Sequence, residues 1–286
     1  MEYSKFNLPI QKEDNPDFQK FIAYIQKIKG IDLTSYRENF LKRRMYIRMY
    51  AKRVQDYTQY IEIIEKDPEE YNRFLDTIGI NVSEFFRDQD VFEAFRKEVL
   101  SEIIAKKKAS NQKIIRIWSA GCAAGEETYS LAILLRETLQ EDMKNFMIRL
   151  WGTDIDRESL NSTQKATYSK LSLKEVNLTL LNKYFTPLPE EMYKLNDDIK
   201  YMAKFSIHNL INEPILKFMD VIFCRNVMIY FTRQQQELLM HNFYKALNYQ
   251  GYLVLGKIEN IWDNKMFTCI DRKNKIYRVQ KSKPWD

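Results

Sequence analysis

The chain has only three cysteines and two histidines, and no long apolar run. Each of these absences excludes a class of protein. Cys122, Cys224 and Cys269 lie far apart, show no paired metal spacing and leave an odd thiol. Neither a disulfide framework nor a zinc site is expected, and a reducing compartment is. His208 and His241 have no partner in sequence. The first is expected to pack or bond locally and the second lies within a helical pattern, so neither is assigned a catalytic role and no metal is expected. No stretch approaches the ~20 apolar residues that cross a bilayer. Residues 1–10 lack the apolar core of a signal peptide. A soluble, cytoplasmic chain without direct membrane insertion is expected.

The 286 residues are 45% hydrophobic, enough for one large core and a smaller satellite. The formal net charge of +6 is compatible with nucleic acid, an anionic surface or an acidic protein partner, and does not choose among them.

Residues 114–118 (IIRIW) form a β-rich apolar run, and from Leu131 through Leu134 and Leu135 apolar residues return at helical spacing. Between them stand Gly121 and Gly125, which supply the sharp turn and close backbone approach of a nucleotide-binding strand–turn–helix unit. A second strand-like run, residues 147–154, ends in Asp154 about thirty residues later, where such folds place a ribose-binding acid. Asp156, followed by residues 157–160 (RESL), is expected to be the N-cap of the next helix.

Residues 17–77 are helical in period. Tyr36, Phe40, Ile47, Tyr50 and Val54 fall on one side of a helix and are expected in the core. Arg37, Arg44, Arg48 and Lys52 fall together on another side with few acids interleaved, which points to a docking face for an acidic partner. In residues 79–88, Asn81 and Ser83 suit helix caps, Phe85 and Phe86 suit core packing, and Arg87 suits a bidentate hold on a carboxylate. An amphipathic stretch (91–104) and a charged connector (105–113) follow. Residues 205–210 and 219–231 each contain a strand with polar residues after it, 232–247 a helix, and 251–256 another strand. Ligands of open α/β sheets lie outside the carboxyl ends of strands, so Asn209, Arg225, Asn226 and Tyr230 should converge with Gly121 and Asp154 on one crevice.

Five segments together, 81–87 (NVSEFFR), 118–130 (WSAGCAAGEETYS), 152–156 (GTDID), 208–210 (HNL) and 223–231 (FCRNVMIYF), resemble the CheR family, the chemotaxis receptor glutamate O-methyltransferases. The resemblance runs from the N-terminal helices nearly to the C-terminus. It implies an α/β, class I S-adenosylmethionine-dependent methyltransferase domain of Rossmann-like type at 114–284. A small all-helical domain at 14–80 and a connecting segment at 81–113 precede it, and a small β-subdomain is inserted at 184–206. It implies cofactor contacts at Asn81, Ser83, Arg87, Glu127, Asp154, Asn209, Leu210, Arg225 and Asn226, beside the Gly121 turn, with Tyr230 near the transferred methyl group. Tyr230 and Arg87 are the residues assigned to catalysis.

The family often has Thr in place of Ser83 and Pro in place of Thr128; neither change should abolish binding. Some members use a glycine-bearing loop in the β-subdomain to capture a receptor's C-terminal peptide. Residues 185–195 (FTPLPEEMYKL) contain no glycine, and no tether is expected. The implied reaction converts S-adenosylmethionine to S-adenosylhomocysteine and esterifies glutamates on the cytoplasmic helices of methyl-accepting receptors. A glutamate with a free-solution pKa of about 4.3 is already ionised at neutral pH, so no general base is needed and positioning should carry catalysis. The Arg37, Arg44, Arg48 and Lys52 stripe then suits a glutamate-rich receptor helix. A nucleic-acid methyltransferase fits less well, because the segment 225–228 (RNVM) replaces the elements that handle a flipped base. A non-catalytic adaptor that senses the cofactor would have no reason to keep Tyr230. No nucleic-acid partner is expected, and the chain is expected to act as a monomer.

Overall fold

The computed structural model describes residues 16–29, 33, 38–78, 83–261 and 265–281. Two compact units divide the chain, Met1–Val82 with Tyr230–Thr232, and Ser83–Ile229 with Arg233–Asp286.

The first unit contains α1 (Pro16–Lys29), α2 (Glu38–Ala51), α3 (Tyr57–Lys66) and α4 (Pro68–Ile78). Asp56 caps α3 by accepting from the Gln59 amide at 2.8 Å, and Pro68 opens α4 at the one helical position that needs no N–H. The core collects Phe18, Phe21, Met45, Tyr60, Ile64 and Phe74. The expected inward face of α2 is corrected here. Leu41, Met45 and Met49 are buried, whereas Ile47 and Tyr50 are exposed and Phe40 and Val54 half-buried; Tyr36 lies outside the described residues. Apolar side chains occur all round α2, so period alone does not choose a face, and the stripe of Leu41, Met45 and Met49, with two adaptable methionines, fills the space between helices.

The docking stripe is corrected with it. Arg48 grips Glu70 with a two-pronged contact, Nε to Oε1 at 2.9 Å and Nη2 to Oε2 at 2.7 Å, and Lys52 bridges Asp67 and Glu70 at 3.0 and 3.2 Å. The Tyr60 hydroxyl adds a 2.9 Å bond to the same carboxylate, whose side chain is 0% exposed. Burial pushes the Glu70 carboxyl up, but Arg48, Tyr60 and Lys52 outweigh it and hold it below the usual carboxylate range. Arg44 is exposed, with its guanidinium over the Phe40 ring at 5.4 Å. Arg37 lies outside the described residues.

In the second unit, α5 (Gln89–Ala94) continues through a π turn (Phe95–Leu100) into α6 (Ser101–Ala109). The first five residues expected as connector therefore belong to a helix. The chain then runs β1 (Ile114–Ala120), α7 (Glu126–Leu139), β2 (Met147–Asp154), α8 (Arg157–Lys165), β3 (Thr167–Ser169), α9 (Leu178–Tyr184), β4 (Phe185–Leu188), β5 (Met192–Leu195), α10 (Asp197–Lys200) and β6 (Ala203–Ile207). After them come β7 (Met219–Cys224), α11 (Arg233–Ala246), β8 (Leu247–Leu255), β9 (Phe267–Asp271) and β10 (Ile276–Val279). Among the described residues a seven-stranded sheet has the order β6-β2-β1-β7-β8-β10-β9. Numbered within that sheet alone, this is 3-2-1-4-5-7-6. β1, β2, β6, β7 and β8 pair in parallel, and β10 runs antiparallel to both β8 and β9. This is the Rossmann-like methyltransferase sheet that the resemblance implies. Trp118 is fully buried in β1, its indole N–H donating to Thr153 Oγ1 at 2.9 Å.

The inserted sheet differs from its expected bounds. Its order is β3-β5-β4, antiparallel throughout, so it begins at Thr167 rather than at 184, and β6 belongs to the main sheet. Phe85 packs edge-to-face on Tyr168 and Phe185, at 4.8 and 5.1 Å between ring centres, as expected of an aromatic placed for the core. The β4–β5 turn puts Glu190 and Glu191 at φ +59° and +53°, a left-handed pair more often made with Asn-Gly.

Because Glu70 is the shared acceptor of Arg48, Lys52 and Tyr60, Glu70→Ala should destabilise the helical unit by about 3 kcal/mol. Glu69→Ala, which removes an exposed pair with Arg73, should cost less than about 0.5 kcal/mol. Urea unfolding of both variants, followed by circular dichroism, checks the difference.

Candidate functional site

The strand order reverses between β1 and β7, and in open parallel sheets the crevice at that reversal takes the ligand. The turn after β1 folds back on its neighbour, with the Gly121 and Cys122 amides both donating to the Thr153 carbonyl, at 2.8 and 3.0 Å. Gly121 has φ +79°, and a Cβ there would come within 2.4 Å of Val227, in the loop after β7. Gly125, at φ +90°, is the N-cap of α7. Both glycines are thus required by backbone conformation, and Gly121 also by close approach of a second loop.

Asp154, at the end of β2, accepts from the Ala123 amide at 2.8 Å and from the Asp156 amide at 2.9 Å. One carboxylate therefore ties the glycine turn to the strand beside it. Burial pushes its pKa up while the Asp156 and Ala123 N–H groups pull it back. Asp156 caps α8 as expected, accepting from the Glu158 amide at 2.9 Å.

Two acids open α7. Glu126 is 5% exposed and its Oε2 has no hydrogen-bond partner. Burial raises its pKa to about 7, against smaller opposing bonds from its own amide and the Ser83 hydroxyl. Glu127 accepts from Ser119 Oγ at 2.8 Å and faces Arg225 Nη1 at 3.5 Å. Burial raises its pKa as well, and Arg225, Ser119 and Arg87 oppose the rise. The Arg225 side chain is 2% exposed, bonds Asp88 at 2.5 Å and lies over the Phe92 ring at 5.5 Å. Its Nε has no partner.

On the flanking strands, Asn209 follows β6, and its side-chain oxygen accepts from the Ile211 and Asn212 amides at 3.0 and 3.2 Å. Leu210 is buried. Asn226 follows β7 with φ +60°, and its amide donates to Glu259 Oε2 at 3.0 Å. Arg87 is half-buried in the segment before α5. Asn81 lies outside the described residues. Tyr230 closes the short Met228–Tyr230 turn and falls within the helical unit, where its ring meets Phe40 edge-to-face at 5.3 Å.

Sequence spacing does not single out Glu259, Asp88 or Ser119. Of the pair Glu126 and Glu127, one suits the helix cap and the other the cofactor's amino group, and family position favours Glu127 for the latter. The signal for Glu259 was slight, an acid three residues after the glycine that ends a strand.

The chemistry of this lining is that of a site for a cation carried on a nucleoside. Asp154 suits a diol, the buried Glu126 and Glu127 suit positive charge, and the turn at Gly121 leaves the main chain close to whatever it holds. S-adenosylmethionine, a sulfonium with an ammonium group and a ribose, fits this donor set. The comparisons agree with that fit. The family model described as CheR methyltransferase, SAM binding domain, matches residues 81–276, and the one described as CheR methyltransferase, all-alpha domain, matches residues 16–78. The chain is 31% identical over 266 residues to a chemotaxis protein methyltransferase of Borreliella burgdorferi, 92% of this chain and 94% of that protein. It is 31% identical over 250 residues to chemotaxis protein methyltransferase 2 of Vibrio cholerae, 86% of this chain and 85% of that one. It is also 29% identical over 262 residues to an uncharacterized 104.1 kDa protein of Rhodobacter capsulatus, covering 90% of this chain but only 27% of that longer protein. Among the described residues no helix is long and apolar enough to cross a membrane.

The Glu126 carboxyl has a measurable consequence. A folded-state pKa of about 7 lies above the unfolded value of about 4.3. Its protonated form therefore favours the fold, and the benefit is lost as pH rises from the unfolded value through the folded one, by roughly 3 kcal/mol in all. Glu126→Gln removes this titration. Relative to the unmodified protein, the variant should gain about 2 kcal/mol or more in unfolding free energy between pH 5 and pH 8, measured by urea unfolding at both pH values.

Proposed function

The chain belongs to the CheR methyltransferase family, and from that membership we propose that it methylates glutamate side chains on the cytoplasmic helices of methyl-accepting chemotaxis receptors, forming methyl esters. The observation that carries the reading is the set of buried acids at the strand-order reversal, with Asp154 held by the Ala123 amide and Glu127 by Ser119 Oγ and Arg225. When bound, S-adenosylmethionine supplies an electrophilic methyl group on its sulfonium.

The chain's own residues do the rest by placement. Asp154, its two oxygens already aimed by the Ala123 and Asp156 amides, holds the ribose hydroxyls. Glu127 faces the amino group of the methionine portion. Arg225, engaged by Asp88 and Glu127, acts by fixing the Glu127 carboxylate. Ser83 and Arg87 hold the methionine end, with Asn81 as their neighbour in sequence, and Arg87 is placed for a carboxylate of cofactor or substrate. Asn209 and Asn226 line polar edges of the nucleoside, Leu210 packs beside it, and the Gly121 turn keeps the backbone close to it. Tyr230 shapes the path of the methyl group. The incoming glutamate is already ionised, so the protein needs only to align its oxygen with the methyl carbon and exclude water. Of the basic stripe, Arg44 remains as a docking residue for the acidic receptor helix, and Arg37 is proposed with it.

Transfer of labelled methyl from S-adenosylmethionine tests the reaction. Receptor cytoplasmic fragments should take up base-labile label, and RNA and DNA should take up none; label on nucleic acid alone would overturn the proposal. Asp154→Ala should weaken S-adenosylhomocysteine binding by tenfold or more in calorimetry, about 1.4 kcal/mol per decade, whereas Tyr230→Phe should mainly slow transfer. Arg44→Glu should reduce receptor methylation at low salt and leave cofactor affinity unchanged, with the difference shrinking as salt rises. Survival of full receptor methylation would return Arg44 to an ordinary solvated face.

A further inference from the structure

The loop that carries Arg225 and Asn226 leaves β7 and runs into the short Met228–Tyr230 turn, and one side chain accepts from its leading amides. Glu259 sits in the turn after β8, where its own amide donates to the Gly256 carbonyl at 2.9 Å. That turn leaves Ile258 exposed at its tip and sends the Glu259 side chain inward, where the residue is 4% exposed. Its Oε2 accepts from the Gly256 amide at 2.7 Å and the Asn226 amide at 3.0 Å, and its Oε1 from the Ile229 amide at 3.3 Å. The Met228 amide bears on the same carboxylate. The loop bends sharply here, since Asn226 is left-handed at φ +60°, and it is closed from both sides. Val227 presses on Gly121, and a Cβ at Gly256 would come within 2.7 Å of the Glu259 carboxylate and 2.8 Å of the Asn226 amide.

We propose that Glu259 is a positioning residue for methyl transfer, a buried carboxylate that clamps the loop after β7 so that Arg225 holds Glu127 and Asn226 meets the cofactor. The inference rests on the methyltransferase reading above and extends it to a residue that touches neither cofactor nor substrate. The geometry distinguishes a clamp from a filler. A glutamine at this place offers one acceptor oxygen and turns an NH2 group toward amides that are themselves donors, while keeping the same volume. An aspartate keeps both oxygens on a stem one methylene shorter.

The test compares Glu259→Gln, Glu259→Asp and Gly256→Ala with the unmodified full chain. Gly256→Ala keeps every ionisable group and forces the clamp open from the other side. Three quantities are measured for each: S-adenosylhomocysteine affinity and stoichiometry by calorimetry, the thermal unfolding midpoint, and kcat and KM for labelled methyl transfer to a receptor fragment. Glu259→Gln and Gly256→Ala should each bind the product with a stoichiometry near one but about tenfold more weakly, and should lower kcat by tenfold or more. The receptor KM should stay within about twofold of normal, and Glu259→Asp should recover part of the loss. Affinity and kcat within twofold of the unmodified protein in both variants would overturn the proposal. So would a fall in kcat that only tracks a fall in binding stoichiometry, or loss of cooperative unfolding in both, because Glu259 would then be a requirement for folding rather than for placement. If the unmodified protein binds the product yet transfers no methyl to the receptor fragment, the substrate reading fails instead, and the product affinities still decide the role of Glu259.

Discussion

A carboxylate taken out of water must be given donors, and the carboxyl edge of the central sheet is shaped by that demand. Asp154 collects two backbone amides from the glycine turn and the start of α8. Glu127 takes a serine hydroxyl and an arginine that is itself held by Asp88 and an aromatic face. Glu259 takes amides from two loops. In each case at least one donor comes from a separated part of the chain, Ala123 for Asp154, Arg225 for Glu127 and Asn226 for Glu259, so satisfying the charge also fixes one loop against another. The loops around the crevice have little regular structure of their own, and these contacts stand where a sheet ladder or helix would otherwise hold them.

The same physics, met in the helical unit, gives a basic stripe acid partners that are not its neighbours in sequence. Arg48 and Lys52 lie on one side of α2 with few acids near them in sequence, which reads as a face awaiting a partner. Their acids, Glu70 and Asp67, arrive from α4 and the residue before it. Sequence spacing along a single helix shows which charges share a side; it does not show what the neighbouring helix brings to them. Arg44 differs because it is exposed and rests on an aromatic ring rather than an acid, and it alone of the three described members keeps the docking role open.

What was legible in the sequence follows the same line between local and distant causes. The strand–turn–helix unit around Gly121 and Gly125, the acid ending β2 and the Asp156 cap depend on short-range pattern, and the structure has all three. The two C-terminal strands β9 and β10 carry no signal of their own, since each is short and exists by antiparallel pairing, β10 on β8 and β9 on β10. The inserted sheet was placed too late because β3, three residues long, carries no period of its own and exists only by pairing with β5. Its β4–β5 turn lacks the Asn-Gly signal altogether and is made by two glutamates in left-handed conformation. Glu259 escaped notice for a related reason: a lone acid in a loop looks solvated until the loop opposite is known to present its amides.

Charge is the last step. Asp88 and Glu127 face Arg225, and Glu126, with a pKa near 7, stands beside Glu127 at the start of α7. On the proposed reading these acids would attract a sulfonium and lose part of that attraction once the methyl group has left and the product's sulfur is neutral. At a few ångströms and an effective dielectric near 20 a single charge contact amounts to several kcal/mol before solvation is subtracted, so even a partial difference favours exchange of product for donor. Full ionisation of every acid would strengthen that preference but would add repulsion among carboxylates already out of water. Arg225 sits between these demands, since it faces both Asp88 and Glu127 and partly neutralises each.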